Sequence, residues 1–158
     1  MIKEFEKYHG AVLTRLIHHS RDPITIAKYP SKSNSSYVIN KNIGLYIKHS
    51  KKRLSPWTYS FKKTHQDEIA EMKKKMKNVY VVFVCHDDGI VVLSFDELKI
   101  ILDHEHDEVE WVAIKRRSHE QYAVSGHDGK LDFKVADTDF PAKALENTGL
   151  SFFDKLFR

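Results

Sequence analysis

Val79-Tyr80-Val81-Val82-Phe83-Val84-Cys85 is an unbroken apolar run. A strand that alternates apolar and polar residues has one buried face, whereas a run apolar at every position reads as a strand covered on both faces. His86-Asp87-Asp88-Gly89 follows as a tight turn, and Ile90-Val91-Val92-Leu93 reads as the returning strand. Upstream, Ile69, Met72 and Met76 recur at helical spacing, with Thr64 as the expected cap and Asp67 at the third helical position. Further back, Ile43, Leu45 and Ile47 alternate with Gly44, Tyr46 and Lys48, a second long strand. Tyr37 to Asn40 and Ile24 to Ala27 are shorter strands. Ile2, Phe5, His9, Val12, Leu13 and Leu16 place one apolar face on a helix over 2–18.

Residues 1–85 therefore run α-β-β-β-α-β. Downstream, Ser94 and Glu97 form a capping box for a helix bearing Leu98, Ile101 and Leu102. Trp111 to Ile114, Gln121 to Val124 and Leu131 to Val135 are further strand candidates. Residues 49–63, with Pro56 and Trp57, read as an irregular basic connection. The expected architecture is a single α+β domain with a central mixed sheet flanked by helices. An αβββαβ core occupies 1–95, and a helix with a β extension and an apolar tail occupies 96–158.

The length, 158 residues, suits one domain. With 41% hydrophobic and 30% charged residues, the chain is globular in composition rather than disordered. No apolar stretch approaches the roughly 20 residues of a membrane helix, so no membrane partner is expected. The single cysteine, Cys85, has no internal disulfide partner, and the first residues are charged where a leader peptide is apolar. Both features point to the cytosol.

The net charge of +4 is unevenly spread. From Lys41 to Lys77 there are 11 basic residues against three acids; from Asp96 to Glu110 there are seven acids against Lys99. Within the basic half, Lys48, Lys51, Lys52, Arg53, Lys62 and Lys63 interleave with Trp57, Tyr59 and Phe61. Cations among aromatics suit a phosphate backbone with stacked bases, so DNA or RNA is the expected partner. Trp57 either braces the loop or stacks. Opposite charge patches, together with an apolar tail over Leu150 to Phe157, also fit a homo-oligomeric interaction module. A small-molecule pocket lined by Tyr37, Tyr46 and Tyr59 is a third reading.

The α-β-β-β-α-β order resembles the core of the PD-(D/E)XK phosphodiesterase superfamily, the restriction-endonuclease-like fold. In that family the second core strand supplies an Asp and the third an acid-x-Lys; the acids hold a divalent metal and the Lys serves the attacking water. The resemblance implies that Lys48 is the motif lysine. Tyr46 stands at the acid position and Asn40 near the Asp position, and neither is a carboxylate. Glu68 on the following helix is the candidate relocated acid, beside Asp67, with Glu6 on the first helix a further candidate. Asn40, Glu68 and Asp87 are the candidate metal ligands, with Mg²⁺ as the ion if the chain cleaves DNA. The resemblance thus implies a nucleic-acid-binding protein with a degenerate catalytic motif, and Lys48 and Glu68 as its catalytic remnant.

Asp103-His104-Glu105-His106-Asp107-Glu108 is the densest ligand-type cluster. It lacks the HExxH spacing and reads as a solvated helix end and linker. Asp87-Asp88-Gly89 and Gly126-His127-Asp128-Gly129 read as turns, and Cys85 as a small core hydrophobe.

Overall fold

The computed structural model describes residues 1–146; the expected tail contact over 150–157 lies outside them. The two long strands anticipated from the sequence form the centre of the molecule. β3 (Ile43–Ser50) and β5 (Asn78–Cys85) pair in parallel, with Lys48 opposite Phe83 and Ser50 opposite Cys85. β1 (Ile26–Lys28), β2 (Ser36–Ile39) and β6 (Gly89–Ser94) complete a mixed sheet in the order β1-β2-β3-β5-β6. Every other pairing in that sheet is antiparallel.

The run at 79–85 is apolar throughout because both of its faces are covered. Tyr80, Val82 and Val84 join Leu45, Ile47, Ile90 and Val92 under α1 (Glu4–His19), which contributes Val12 and Leu16. Val81, Phe83 and Cys85 join Tyr46, Val91 and Leu93 on the opposite side. There they meet Ile69 and Met72 of α2 (Lys63–Lys75) and Leu98 and Ile101 of α3 (Phe95–Ile101). The Ser94 hydroxyl accepts the Glu97 amide (3.2 Å) and Glu97 accepts the Ser94 amide (2.9 Å), as the capping box requires. Thr64 does not cap α2. The helix begins two residues earlier than expected, at Lys63, and the His65 ring accepts the Lys62 amide at 3.2 Å.

Residues 49–63 are not an irregular connection. Trp57, Tyr59 and Phe61 alternate with Thr58, Ser60 and Lys62 as β4 (Trp57–Lys62), with the three aromatics buried and the three polar residues exposed. β4 leaves the first sheet and heads a second one. That sheet has the order β4-β7-β8-β9, with β7 (Val109–Lys115), β8 (Ala123–Gly126) and β9 (Gly129–Lys130). Its inner face, carrying Val112, Ile114 and Val124 beside the β4 aromatics, packs on the first sheet. The second sheet thus takes one strand from within 1–95 and three from beyond it. Leu131 to Val135 does not extend as a strand; only Val135 bridges to Tyr122. The chain closes through a 3₁₀ turn (Asp137–Asp139) and α4 (Ala142–Leu145). No helix among the described residues is long and apolar enough to cross a membrane.

Asp88 ties the two sheets together. Its carboxylate accepts both arms of the Arg116 guanidinium (2.8 and 2.7 Å) and the Tyr122 hydroxyl (2.5 Å). The guanidinium, more than the hydroxyl, holds the carboxyl below its ordinary range. Bidentate, charge-assisted bonds at a partly buried site are among the stronger polar contacts. Asp88→Asn is expected to cost about 2 kcal/mol in urea denaturation at pH 7. A loss under about 0.5 kcal/mol would mean that solvent already screens the pair.

Candidate nucleic-acid interface and the Lys48 site

β3 alternates its side chains, so Tyr46 and Lys48 point to the same face, toward α2. The Lys48 ammonium donates to the Ser60 carbonyl at 2.6 Å, lies 4.7 Å over the Phe61 ring and is 3.4 Å from His65 Nδ1. β3 is a central strand, so Lys48 is not the edge-strand lysine that an aggregation-blocking role requires. It instead reaches across to the open edge of β4, whose other edge pairs with β7. Its neighbours supply no carboxylate within ion-pair distance among the described residues. Burial, reinforced by Lys62, lowers the ammonium to about 8. Burial, and then Lys48 itself, holds His65 below its usual value.

Glu68 stands one turn beyond His65 on α2, at the i+3 position that shares its face. Its Oε2 accepts the Ser33 hydroxyl at 2.8 Å and, more closely, the Ser36 hydroxyl. Ser36 is the β2 partner of Tyr46, and burial together with the Glu68 charge pushes the Tyr46 hydroxyl well up. Lys48, His65, Tyr46 and Glu68 therefore line one strip between β3 and α2.

Asn40 and Asp87 do not join this strip. Asn40 holds a positive φ of 51° before β3, and its side chain accepts the Thr25 amide at 3.0 Å. Ile43 to Lys48 is five steps of about 3.3 Å along the strand, which puts Asn40 beyond the far end. Asp87 is exposed in the β5–β6 turn and bonds His86 at 3.0 Å. Glu6 lies on α1, across the first sheet from Lys48. The strip thus holds one carboxylate, Glu68, where two-acid metal chemistry draws on more. The tyrosine pocket also dissolves: Tyr37 faces α1, whereas Tyr46 and Tyr59 are buried in the opposite core.

Lys51, Lys52 and Arg53 are exposed in the loop between β3 and β4, and Lys51 pairs with Glu4 at 3.2 Å. Trp57 is only 2% exposed, and its indole N–H donates to the Lys52 carbonyl at 2.8 Å. It braces the loop and offers no stacking surface. Lys62 and Lys63 are exposed where β4 meets α2, Lys63 pairing with Asp67 at 3.0 Å.

The tryptophan that faces solvent is Trp111, 46% exposed on β7. It is paired with Ser60, while Lys62 pairs with Val109. Directly paired strand residues share a face, so the register assigns the outward side of the second sheet. β4 gives it Thr58, Ser60 and Lys62; β7 gives Val109, Trp111, Ala113 and Lys115; Ala123, Ser125 and Lys130 come from β8 and β9. Among the described strand residues the face holds three lysines and no acid. The Lys51–Arg53 loop enters at the end where Trp57 pairs with Ile114, next to Lys115, and Lys62 lies at the other end. The sequence alone favoured the tryptophan inside the basic segment. The alternation of Trp111 against Val112 and Ile114 was the available signal for the outward one.

The acidic cluster at 103–108 is the expected solvated helix end and linker, running on from α3. α3 stops at Ile101, and the acidic segment packs against the start of α2. His106 Nδ1 is 2.7 Å from Asp67, the Glu108 carbonyl accepts the Lys63 amide, and Glu110 accepts from Gln66. His104 and His106 do not converge on a ligand. Comparison with protein-family models, curated proteins and solved structures finds no match to this chain.

Proposed function

We propose that the protein binds single-stranded nucleic acid across the outward face of its second sheet, without a cleavage centre of the two-carboxylate kind. The observation that carries this reading is Trp111, half exposed on an acid-free sheet face that also bears Lys62, Lys115 and Lys130. A base stacks on any aromatic plane, and such stacking is worth about 1–3 kcal/mol per base. Lysines flanking the plane meet the phosphates and make the affinity fall with salt. From Trp57 to Lys62 the β4 edge spans roughly 17 Å at the strand rise, enough for two to three nucleotides between the Lys51–Arg53 loop and Lys62.

The test is fluorescence anisotropy of a labelled single strand, with duplex as comparison, at 50 and 200 mM salt. The single strand is expected to bind more tightly, and Trp111→Ala to weaken binding roughly tenfold or more. Lys52→Glu with Arg53→Glu is expected to flatten the salt dependence. Absence of binding at low salt, or indifference to Trp111→Ala, overturns the reading. Plasmid incubated with Mg²⁺ or Mn²⁺ is expected to survive intact. Cleavage lost in Lys48→Ala would instead assign the nuclease activity to the β3–α2 strip.

A further inference from the structure

We propose that Glu110 is the buried anchor of a divalent-cation site closed by Asp103 and Asp128, which takes a hard cation of the Ca²⁺ or Mg²⁺ class. Glu110 is 1% exposed on the inner face of β7, facing α2 and α3. Its Oε2 accepts from the Gln66 side chain and from the Asp107 amide at 3.2 Å. Its Oε1 is buried without a hydrogen-bond partner, and so is the Oε1 of Gln66 beside it. A buried carboxylate oxygen without a protein partner is what a cation satisfies.

The other ligands are delivered from two separate directions. Asp103 follows the end of α3. Asp128 sits in the two-residue turn between β8 and β9, whose glycines press on α3: a Cβ on Gly126 would lie 2.6 Å from the Ile101 carbonyl oxygen, and one on Gly129 2.4 Å from that of Ile100. The Asp128 amide donates to the Ile101 carbonyl at 2.9 Å, and Asp128 Oδ2 accepts the Asp103 amide at 2.9 Å. The turn is therefore held with its carboxylate toward Glu110. Ligand atoms of Asp103, Glu110 and Asp128 lie within 4.8 Å of one another. Oxygens about 2.4 Å from one cation are at most about 4.8 Å apart.

The charges argue the same way. Among the described residues, no lysine or arginine reaches ion-pair distance of Asp103, Asp107, Glu110 or Asp128; the imidazole of His127 alone does so, at 3.5 Å from Asp107 and 3.9 Å from Asp128. Lys99 feels the charges of Glu110, Asp103 and Asp128 and so offsets part of theirs, but its ammonium contacts the Asp103 carbonyl (3.2 Å) and His106 Nε2 (3.3 Å) rather than a carboxylate. A second triad, Asp107, Glu110 and His127, also converges. Its Asp107 and His127 are already engaged with each other. In the Asp103, Glu110 and Asp128 set only Asp128 Oδ1 touches the imidazole, at 3.9 Å, and an all-oxygen set suits a hard ion.

The protein titrated with Ca²⁺ and Mg²⁺ alone is expected to gain several degrees in melting temperature at millimolar ion. Tb³⁺ is expected to luminesce on indole excitation. Glu110→Gln, Asp103→Asn and Asp128→Asn are each expected to weaken binding at least tenfold, while Glu105→Gln and Glu108→Gln leave it unchanged. Asp103 and Asp128 lie at the surface, so their variants keep the test valid if Glu110→Gln perturbs the fold. Failure of both ions to shift the melt and of Tb³⁺ to emit overturns the site. So does unchanged affinity in Asp103→Asn and Asp128→Asn. Zn²⁺ binding that survives those two variants but is lost in His127→Ala also overturns it, in favour of the second triad. None of these readouts depends on nucleic acid.

Discussion

Lys48→Met is expected to make the protein more stable at pH 7, by about 1–2 kcal/mol. An unfolded lysine titrates near 10.5, and the folded ammonium, lowered chiefly by burial, at about 8. Between those values the unfolded chain binds more protons, so stability rises with pH there. Below pH 8 both states are charged, and the cost of holding that charge away from water is borne in full. The gap is equivalent to about 3 kcal/mol. Against it stands the bond to the Ser60 carbonyl, worth roughly 1 kcal/mol, which methionine cannot make. The apolar stem of methionine keeps the packing on Phe61. Urea midpoints of wild type and variant at pH 7 and pH 10 test this. The variant's advantage should shrink toward pH 10 as the wild-type lysine discharges. Destabilisation at pH 7, or an advantage constant with pH, would show that Lys48 is a structural strut.

The expectation bears on what the β3–α2 strip is for. A half-buried lysine with no carboxylate partner among the described residues costs stability, and perturbed groups of this kind gather at sites kept for chemistry. With a value near 8 it exchanges a proton close to neutral pH. The strip retains that property, the His65 ring and the Glu68 carboxylate. It lacks further acids to share a metal. The second sheet carries the outward cations and the exposed indole. The proposed binding face and the Lys48 strip thus lie on different surfaces, and substitution at Trp111 and at Lys48 tests them separately.

The central sheet was legible because its strands declare themselves locally. Val79 to Cys85 is apolar at every position, and Ile43, Leu45 and Ile47 keep strict alternation. β4 keeps the same alternation, Trp57, Tyr59 and Phe61 against Thr58, Ser60 and Lys62. The adjoining Pro56 and the run of cations led to its being read as loop. The expected strand at 131–135 failed for the opposite reason. Its period is right, but β9 ends at Lys130, and past it only Val135 finds a bridge. The candidate residues divide along the same line. That Lys48 and Glu68 lie close together follows from neighbouring elements, β3 and α2. Trp111 required knowing which side of the second sheet is covered. Glu110 and Asp128, 18 positions apart in sequence, meet only because the β8–β9 turn folds onto α3.

Acidification from pH 7 to pH 5 is expected to remove about 2 kcal/mol of stability through His9. The ring is buried between α1 and the first sheet. It stacks edge-on against Phe5 (5.3 Å) and His49 (6.2 Å), and its Nδ1 shares a hydrogen bond of 2.8 Å with the Tyr37 hydroxyl. Burial, followed by the charge on His49, lowers it to about 4 from the ordinary 6.5. Between pH 6.5 and 4 the unfolded chain therefore binds the extra proton, and stability falls as pH falls. The limit is about 3 kcal/mol, reached near pH 4. His65 is lowered in the same direction and adds a smaller slope, while the lowered carboxylates of Glu4, Asp67 and Asp88 act only at more acidic pH. His9→Gln keeps a partner for Tyr37 and does not titrate. Its urea midpoint should change far less between pH 7 and 5 than that of wild type, whatever its stability at pH 7; equal slopes would exclude His9 as the source. The position gives the effect a direction. Glu4 holds both His49 Nε2 (2.9 Å) and Lys51 Nζ (3.2 Å), so a proton forced onto His9 loosens the helix that anchors the basic loop. Loss of nucleic-acid affinity on mild acidification, absent in His9→Gln, would be the functional trace of that coupling.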